Sequence, residues 1–312
     1  MSSVLYDIPG PKAKRRNLLF SVVFLVLLGL LAWWAIDLMG DKDQWVWAKW
    51  KPFITAEPWT TYLLPALANT LKAAGLSMVI ALPLGALLGI ARLSDHRWVR
   101  IPVGAVVEFF RAIPVLIMMV FASAFYVQST DISSDDRPMY AVITGLVLYN
   151  ASVLAEIVRA GILSLPKGQT EAAKAIGLRK GQTMRTILLP QAVTAMLPAI
   201  VSQLVVILKD TALGGAVLNF TELLNSRGTI AGYYGNPIQT FAVIAVIYVL
   251  LNFTLTTFAS WLEKRLRRGK RSTGAVLGAG AVEDVAGAGA GTAGIPAAKV
   301  RGSFSDGSGG TV

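Results

Sequence analysis

Apolar residues along this chain fall in runs much longer than the stripes and alternations that line a soluble core. Six stretches approach or exceed the roughly 20 apolar residues that a bilayer-spanning helix needs, at residues 18–39, 62–91, 101–127, 139–163, 187–208 and 238–262. Lipid offers the backbone no hydrogen-bond partner, so each run is predicted to be a helix that satisfies its own N–H and C=O groups. Lys72 interrupts the second run, which is uninterrupted only over residues 75–90. The expected fold class is all-α, a polytopic membrane protein of about six transmembrane helices.

Composition agrees, at 54% hydrophobic and 15% charged residues. A net charge of +11 would suggest a nucleic-acid partner in a soluble protein. Its distribution instead assigns it to topology, and no nucleic acid is expected. With the N-terminus in the cytoplasm, the inner flanks at 12–16, 92–100, 167–185 and 264–271 hold 18 Lys and Arg residues, against five in the outer segments: Lys42, Lys49, Lys51, Arg137 and Arg227. The positive-inside bias therefore predicts a multi-pass protein of the cytoplasmic membrane with both termini cytoplasmic. Trp45, Trp47, Trp50 and Trp59 lie in the first outer segment, as rings for the headgroup layer or as packing within a covered loop. The absence of cysteine excludes disulfides, and one histidine, His96 in a basic inner loop, gives no metal site; no cofactor is expected. The basic cluster before residue 18 resembles the start of a signal peptide, but the run is too long and ends in Ala32-Trp33-Trp34-Ala35-Ile36-Asp37, without a small-residue cleavage pattern. A permanent helix is expected there.

Three regions follow: 1–61 with a first helix and outer loop, 62–266 with the remaining spans, and 267–312, a Gly/Ala-rich tail expected to be disordered and cytoplasmic. Residues 40–60 read as an outer loop, 131–137 as a short polar outer turn, and 211–237 as an outer loop with a short, partly buried helix. The segment 164–186 is hydrophilic, basic and rich in helix formers, notably Glu171, Ala172, Ala173, Lys174 and Ala175. Pro166 suits the start of a helix there and Gly177 its end, where positive φ lets the chain turn. A short helix across the cytoplasmic membrane face is predicted.

Glu171-Ala172-Ala173, three residues, Gly177, nine residues and then Ile187-Leu188-Leu189-Pro190 resemble the signature loop of ABC importer permeases. The blocks Ala155 to Ile162, Pro166-Lys167-Gly168-Gln169, Leu189-Pro190-Gln191-Ala192, Lys209-Asp210-Thr211, Phe109 to Pro114 and Leu262 to Leu266 are similar to the polar amino acid uptake branch, the histidine, glutamine and glutamate type. The resemblance runs over roughly residues 62–266 and implies the type I importer permease (MetI-like) fold. It implies a permease working as a homodimer, or as a heterodimer with a second permease subunit. Its partners would be a dimer of ABC ATP-binding subunits, an extracytoplasmic solute-binding protein and an amino acid substrate. Within the coupling loop 164–189, Glu171, Ala172, Ala173, Gly177 and Pro190 would dock the ATPase. The first helix and the tail look like additions to a five-helix core. Thr211-Ala212 stands where the family more often has Thr-Ser, and Gln239 where an acidic residue is common. No Gly-x-x-x-x-Gly-Lys-Ser/Thr phosphate loop occurs, so the chain is not expected to be an enzyme and ATP hydrolysis falls to a partner.

Charges within spans are costly and mark a pathway or an internal pair. Glu108 and Arg111, and Glu156 and Arg159, are each three apart, so each pair shares a helix face. A straight third span puts Arg111 about 15 Å along its axis. These groups either line a substrate pathway, with arginine forks for a carboxylate, or form an ion-pair network between helices. Family position makes Lys209 and Asp210, expected at the end of the fifth span, candidates for the outer gate; a snorkelling interfacial lysine is the blander account. A membrane enzyme lacks a nucleophile or metal cluster here. An ion-coupled amino acid carrier or channel is the remaining alternative, and glutamate, glutamine and basic amino acids all stay open as cargo.

Overall fold

The computed structural model describes residues 10–268, which are all helix and turn. The chain divides into units 1–263 and 264–312. Of the second, residues 264–268 finish the final helix, and the tail from Gly269 lies outside the described residues.

In order, the helices are α1 (Pro11–Asp41), α2 (Trp47–Trp50), α3 (Leu64–Ala91), α4 (Arg97–Ala112), α5 (Val115–Ser129), α6 (Arg137–Leu163), α7 (Lys167–Ala175), α8 (Lys180–Thr183), α9 (Leu189–Val217), α10 (Ser226–Tyr234) and α11 (Pro237–Arg268). Among the described residues, five helical segments are long and apolar enough to cross a bilayer, and α4 with α5 makes a sixth if that bent pair counts as one. The expected straight helix over 101–127 is therefore corrected: it is two helices meeting at 99°. Pro114 supplies the physical reason. It disfavours helical ψ at the residue before it, and Ile113 is extended, at φ −87° and ψ 128°.

Prolines shape two other spans more gently. Pro65 and Pro190 lack the N–H that would bond the carbonyl four residues back, and their rings crowd it. The preceding turns widen to a π pattern, Trp59–Leu63 and Met184–Leu188, in which Leu64 N–H reaches Trp59 O and Leu189 N–H reaches Met184 O. Helix continuity survives, so residues 180–217 form one candidate span of 38 residues. The fifth span thus does not end at Lys209 and Asp210 but continues two turns to Val217. Gly214 and Gly215 do not break it, because both are buried at close contacts, Gly214 against Val142 and Gly215 against Glu222.

α3 and α6 form the centre of the bundle, with α5 and α9 on α6. Their shared cluster holds Met78, Ala81, Met119, Leu146, Leu154 and Ile207. Lipid tails are as apolar as these side chains, so close packing rather than water exclusion must hold the helices together. Small residues permit it. A Cβ on Gly85 would lie 2.6 Å from Leu154 Cβ and 2.8 Å from Ala151 O, and one on Gly89 would lie 2.6 Å from Ala155 O. Mid-bundle, Gln203 Nε2 donates to Asn150 Oδ1 at 2.5 Å, joining α9 to α6 through two buried amides.

The first interhelical loop is folded. Asn236 Nδ2 donates to Lys49 O at 2.9 Å and Gln239 Nε2 to Gln44 O at 2.6 Å, tying the loop to the start of α11. An ionised carboxylate at position 239 would have no proton to donate to that carbonyl, so the contact favours glutamine there. Of the loop tryptophans, Trp45 and Trp47 are exposed, while Trp50 and Trp59 are half-buried and donate to Gln44 O and Phe53 O. α1 has no buried residue.

Gly85→Val is expected to cost about 1–3 kcal/mol through overpacking at the α3–α6 contact. Thermal unfolding of the detergent-solubilised full chain would read this as a lowered midpoint, whereas Gly75→Val, which meets open space, should change it little.

Candidate functional site

Two groups of predicted site residues lie toward the end of the bundle where α6 passes into α7. The first is α7 itself. It begins after Pro166, whose ψ of 131° is extended, and ends at Gly177, whose φ is +79°. Gly177 N–H bonds Lys174 O and Leu178 N–H bonds Ala173 O, both at 3.0 Å. This Schellman closure satisfies the last carbonyls and demands left-handed backbone at Gly177, where a Cβ would have space but not comfort. Ala173 is buried, while Glu171, Ala172 and Lys174 are exposed. One side of α7 therefore rests on the bundle and the other is open. Pro190 lies beyond α8, where the π turn enters α9, and Gln191 Nε2 sits 3.5 Å from Gln169 Oε1 on α7.

Lys180, at the start of α8, donates to Leu93 O at 2.7 Å and to Asp95 Oδ1 at 2.5 Å. The segment after α7 is thereby tied to the α3–α4 loop. The Lys180 hydrogen bond holds the Asp95 carboxyl below the usual carboxylate range. A depressed acid stays ionised through that range and loses its bond only as pH falls below it.

The second group is a five-member ion-pair network. Arg159 bonds Glu156 at 2.5 Å on α6, Arg92 bonds Glu156 at 2.8 Å and Glu108 at 2.9 Å, and Arg111 lies 3.5 Å from Glu108 on α4. The two i,i+3 pairs expected from the sequence are thus brought together, and Arg92 at the end of α3 joins them. Sequence spacing gave no sign of Arg92 in this role, since it lies 16 residues from Glu108 and 64 from Glu156. Its side chain is 15% exposed and Glu156 24%, so water screens this pair little, while Glu108 at 58% is more open. Arg111 lies just before the α4–α5 bend, near the C-terminal end of α4.

Lys209 and Asp210 lie apart from both groups, within α9. Lys209 lines a cavity of about 540 Å³ with Leu224, Phe241, Tyr248 and Asn252. Asp210 is half-buried and takes no ion pair among the described residues. Glu222 was also missed by sequence reasoning. It is fully buried, accepts from the Leu224 and Asn225 amides at 2.8 and 2.6 Å and from the Tyr248 hydroxyl at 2.8 Å, and so clasps the turn after α9 to α11.

Comparison with known proteins agrees with this architecture. Residues 81–268 match the family described as binding-protein-dependent transport system inner membrane component. The glutamate transport system permease protein GluD of Corynebacterium glutamicum is 48% identical over 222 residues, 71% of this chain and 81% of that one. The arginine transport system permease protein ArgU of the same species is 29% identical over 86% of each chain. Among solved structures, a chain of an amino acid ABC transporter crystallised with histidines superposes with a TM-score of 0.60 at 25% identity, covering 66% of this chain and 95% of that one.

Arg92→Gln would leave Glu108 and Glu156 facing each other without their shared cation. The expected loss lies between the ~0.5 kcal/mol of an exposed pair and the ~3 kcal/mol of a buried one. Thermal unfolding should show it, and adding Glu156→Gln should recover part of it; equal midpoints for wild type and Arg92→Gln would show the network to be slack.

Proposed function

This chain belongs to the family of binding-protein-dependent transport system inner membrane components, the ABC transporter permeases, in their polar amino acid branch, and from that premise we propose that it carries glutamate or a closely related polar amino acid into the cell. The ATP that drives transport is hydrolysed by a separate pair of subunits docked on α7. An extracytoplasmic binding protein delivers the substrate, and a second permease, alike or different, completes the pathway. Both termini then face the cytoplasm, in keeping with the excess of Lys and Arg on the α7 side.

The observation that carries this reading is α7. It is a short closed helix with Glu171, Ala172 and Lys174 exposed and Ala173 seated on the bundle. Small side chains permit close approach to a cleft and the charged ones suit its rim. Movement of α7 passes through α8 into one continuous helix to Val217, because the π turn at 184–188 keeps the backbone bonded where Pro190 would otherwise part it. Lys180 carries the same movement to the α3–α4 loop at Leu93, the residue next to Arg92. Glu108, Arg111, Glu156 and Arg159 act in this scheme as a lock between α3, α4 and α6 that opens or re-forms between states. Lys209 and Asp210 are the pathway groups. Identity to a permease named for glutamate supports the choice of substrate.

Co-reconstitution with the cognate ATPase and binding protein should give ATP-dependent uptake of radiolabelled glutamate, with competition by unlabelled amino acids ranking the substrates. Uptake driven by an ion gradient without ATP would sink the reading in favour of a carrier. Gly177→Val forces a β-branched residue into left-handed backbone at a local cost of about 1–2 kcal/mol, and should abolish uptake while membrane insertion persists. Full uptake by that variant would remove α7 from the coupling role.

A further inference from the structure

α4 differs from the other long helices in how its side chains divide around the axis. At about 100° per residue, three sectors separate. Val99, Val103, Val107 and Phe110 are buried or half-buried against the bundle. Trp98, Ile101, Ala105, Val106 and Phe109 form an exposed apolar sector, with Trp98 76% exposed and Phe109 60%. Arg97, Arg100, Glu108 and Arg111 occupy a third sector, also exposed. Glu108 and Arg111 belong to the network around Arg92, but Arg97 and Arg100 form no ion pair among the described residues.

The direction of α4 follows from its neighbours. α5 packs along α6, which spans the bilayer, so a helix at 99° to α5 runs close to the membrane plane. The ion pairs place it at the α7 end: Glu108 is bonded to Arg92, which caps the last turn of α3. A helix rising straight from Arg97 would carry Glu108 about 16 Å beyond that level. An in-plane helix with basic residues on one side and Trp, Ile and Phe on another has the layout of an interfacial anchor, apolar side in the acyl boundary and charged side among the headgroups.

We propose that α4 lies in the headgroup layer on the membrane face that carries α7, with Arg97 and Arg100 held against the phosphates of anionic lipids. The surface would let lipid charge bias the position of the α3–α4 loop, and through Arg92 and Lys180 the parts that move during transport. It goes beyond the assignment of cargo and does not depend on it.

The absence of cysteine makes the test direct, since single cysteines can be placed at successive positions from 98 to 109 of the full chain without removing any native thiol. Nitroxide labels there, in nanodiscs of phosphatidylglycerol and phosphatidylcholine, report depth through relative collision with oxygen and with a nickel chelate. The expected result is a helical oscillation about one constant depth near the headgroups. A depth that increases steadily by ~1.5 Å per residue would make α4 half of a span and overturn the proposal. The charge arm uses the Arg97→Gln/Arg100→Gln variant and spin-labelled lipids. Preference for phosphatidylglycerol over phosphatidylcholine at the protein surface should fall by about fivefold per arginine removed at low salt. An unchanged preference would mean that these arginines serve another partner, such as the ATPase, and would equally overturn it. Neither arm requires transport, so failure of the lipid assignment is distinct from failure of the transport reading.

Discussion

At bilayer depth a polar group has only protein to bond to, and this fold is organised around that constraint. The backbone meets it with helices, and where proline removes a donor the turn before Pro65 or Pro190 widens rather than leaving the chain unbonded. Side chains meet it in pairs, Asn150 with Gln203 and Glu222 with two amides and a phenol, and at the end of α3 Glu108 and Glu156 share three arginines. Each pairing joins segments distant in sequence. The need to satisfy polar groups therefore specifies which helices sit together, while apolar contacts, equally available from lipid, do not.

Close approach is the second half of the same logic. Gly85 and Gly89 bring α3 against α6, and that proximity sets the end of α3 beside Glu156 so that one arginine can serve both carboxylates. Removing the glycines would separate the helices; removing the arginine would leave two carboxylates together with nothing between them. The network and the packing are thus coupled, because Arg92 bonds both carboxylates at the end of the helix that these glycines seat against α6. Lys180 ties the segment after α7 to Leu93, the residue next to Arg92.

The α4–α5 corner shows how composition can conceal geometry. Residues 101–127 are apolar enough to pass as one span, and the hydropathy of the run contains no sign of a right angle. Pro114 was visible, but a proline within a membrane helix more often kinks it than turns it by 99°. What decides the outcome is Ile113 in extended backbone, stabilised by packing of α5 along α6 and by ion pairing of Glu108 at the end of α3. The same limitation hid the length of the fifth span: Gly214 and Gly215 read as helix breakers locally, yet are the small residues that let α9 pass Val142 and Glu222.

Features set by neighbouring residues were legible in the chain alone. Spanning runs, the proline-to-glycine boundaries of α7, the i,i+3 charge pairs and the ordered motif blocks all depend on periodicity or local backbone preference, which a linear string records. The tertiary structure decided the rest: Arg92 as the shared cation, Glu222 as a clasp, the turn at Ile113 and the continuation of α9 past Asp210. These depend on which surfaces meet across tens of residues, and that is determined by shape and by polar groups finding partners in a solvent that supplies none.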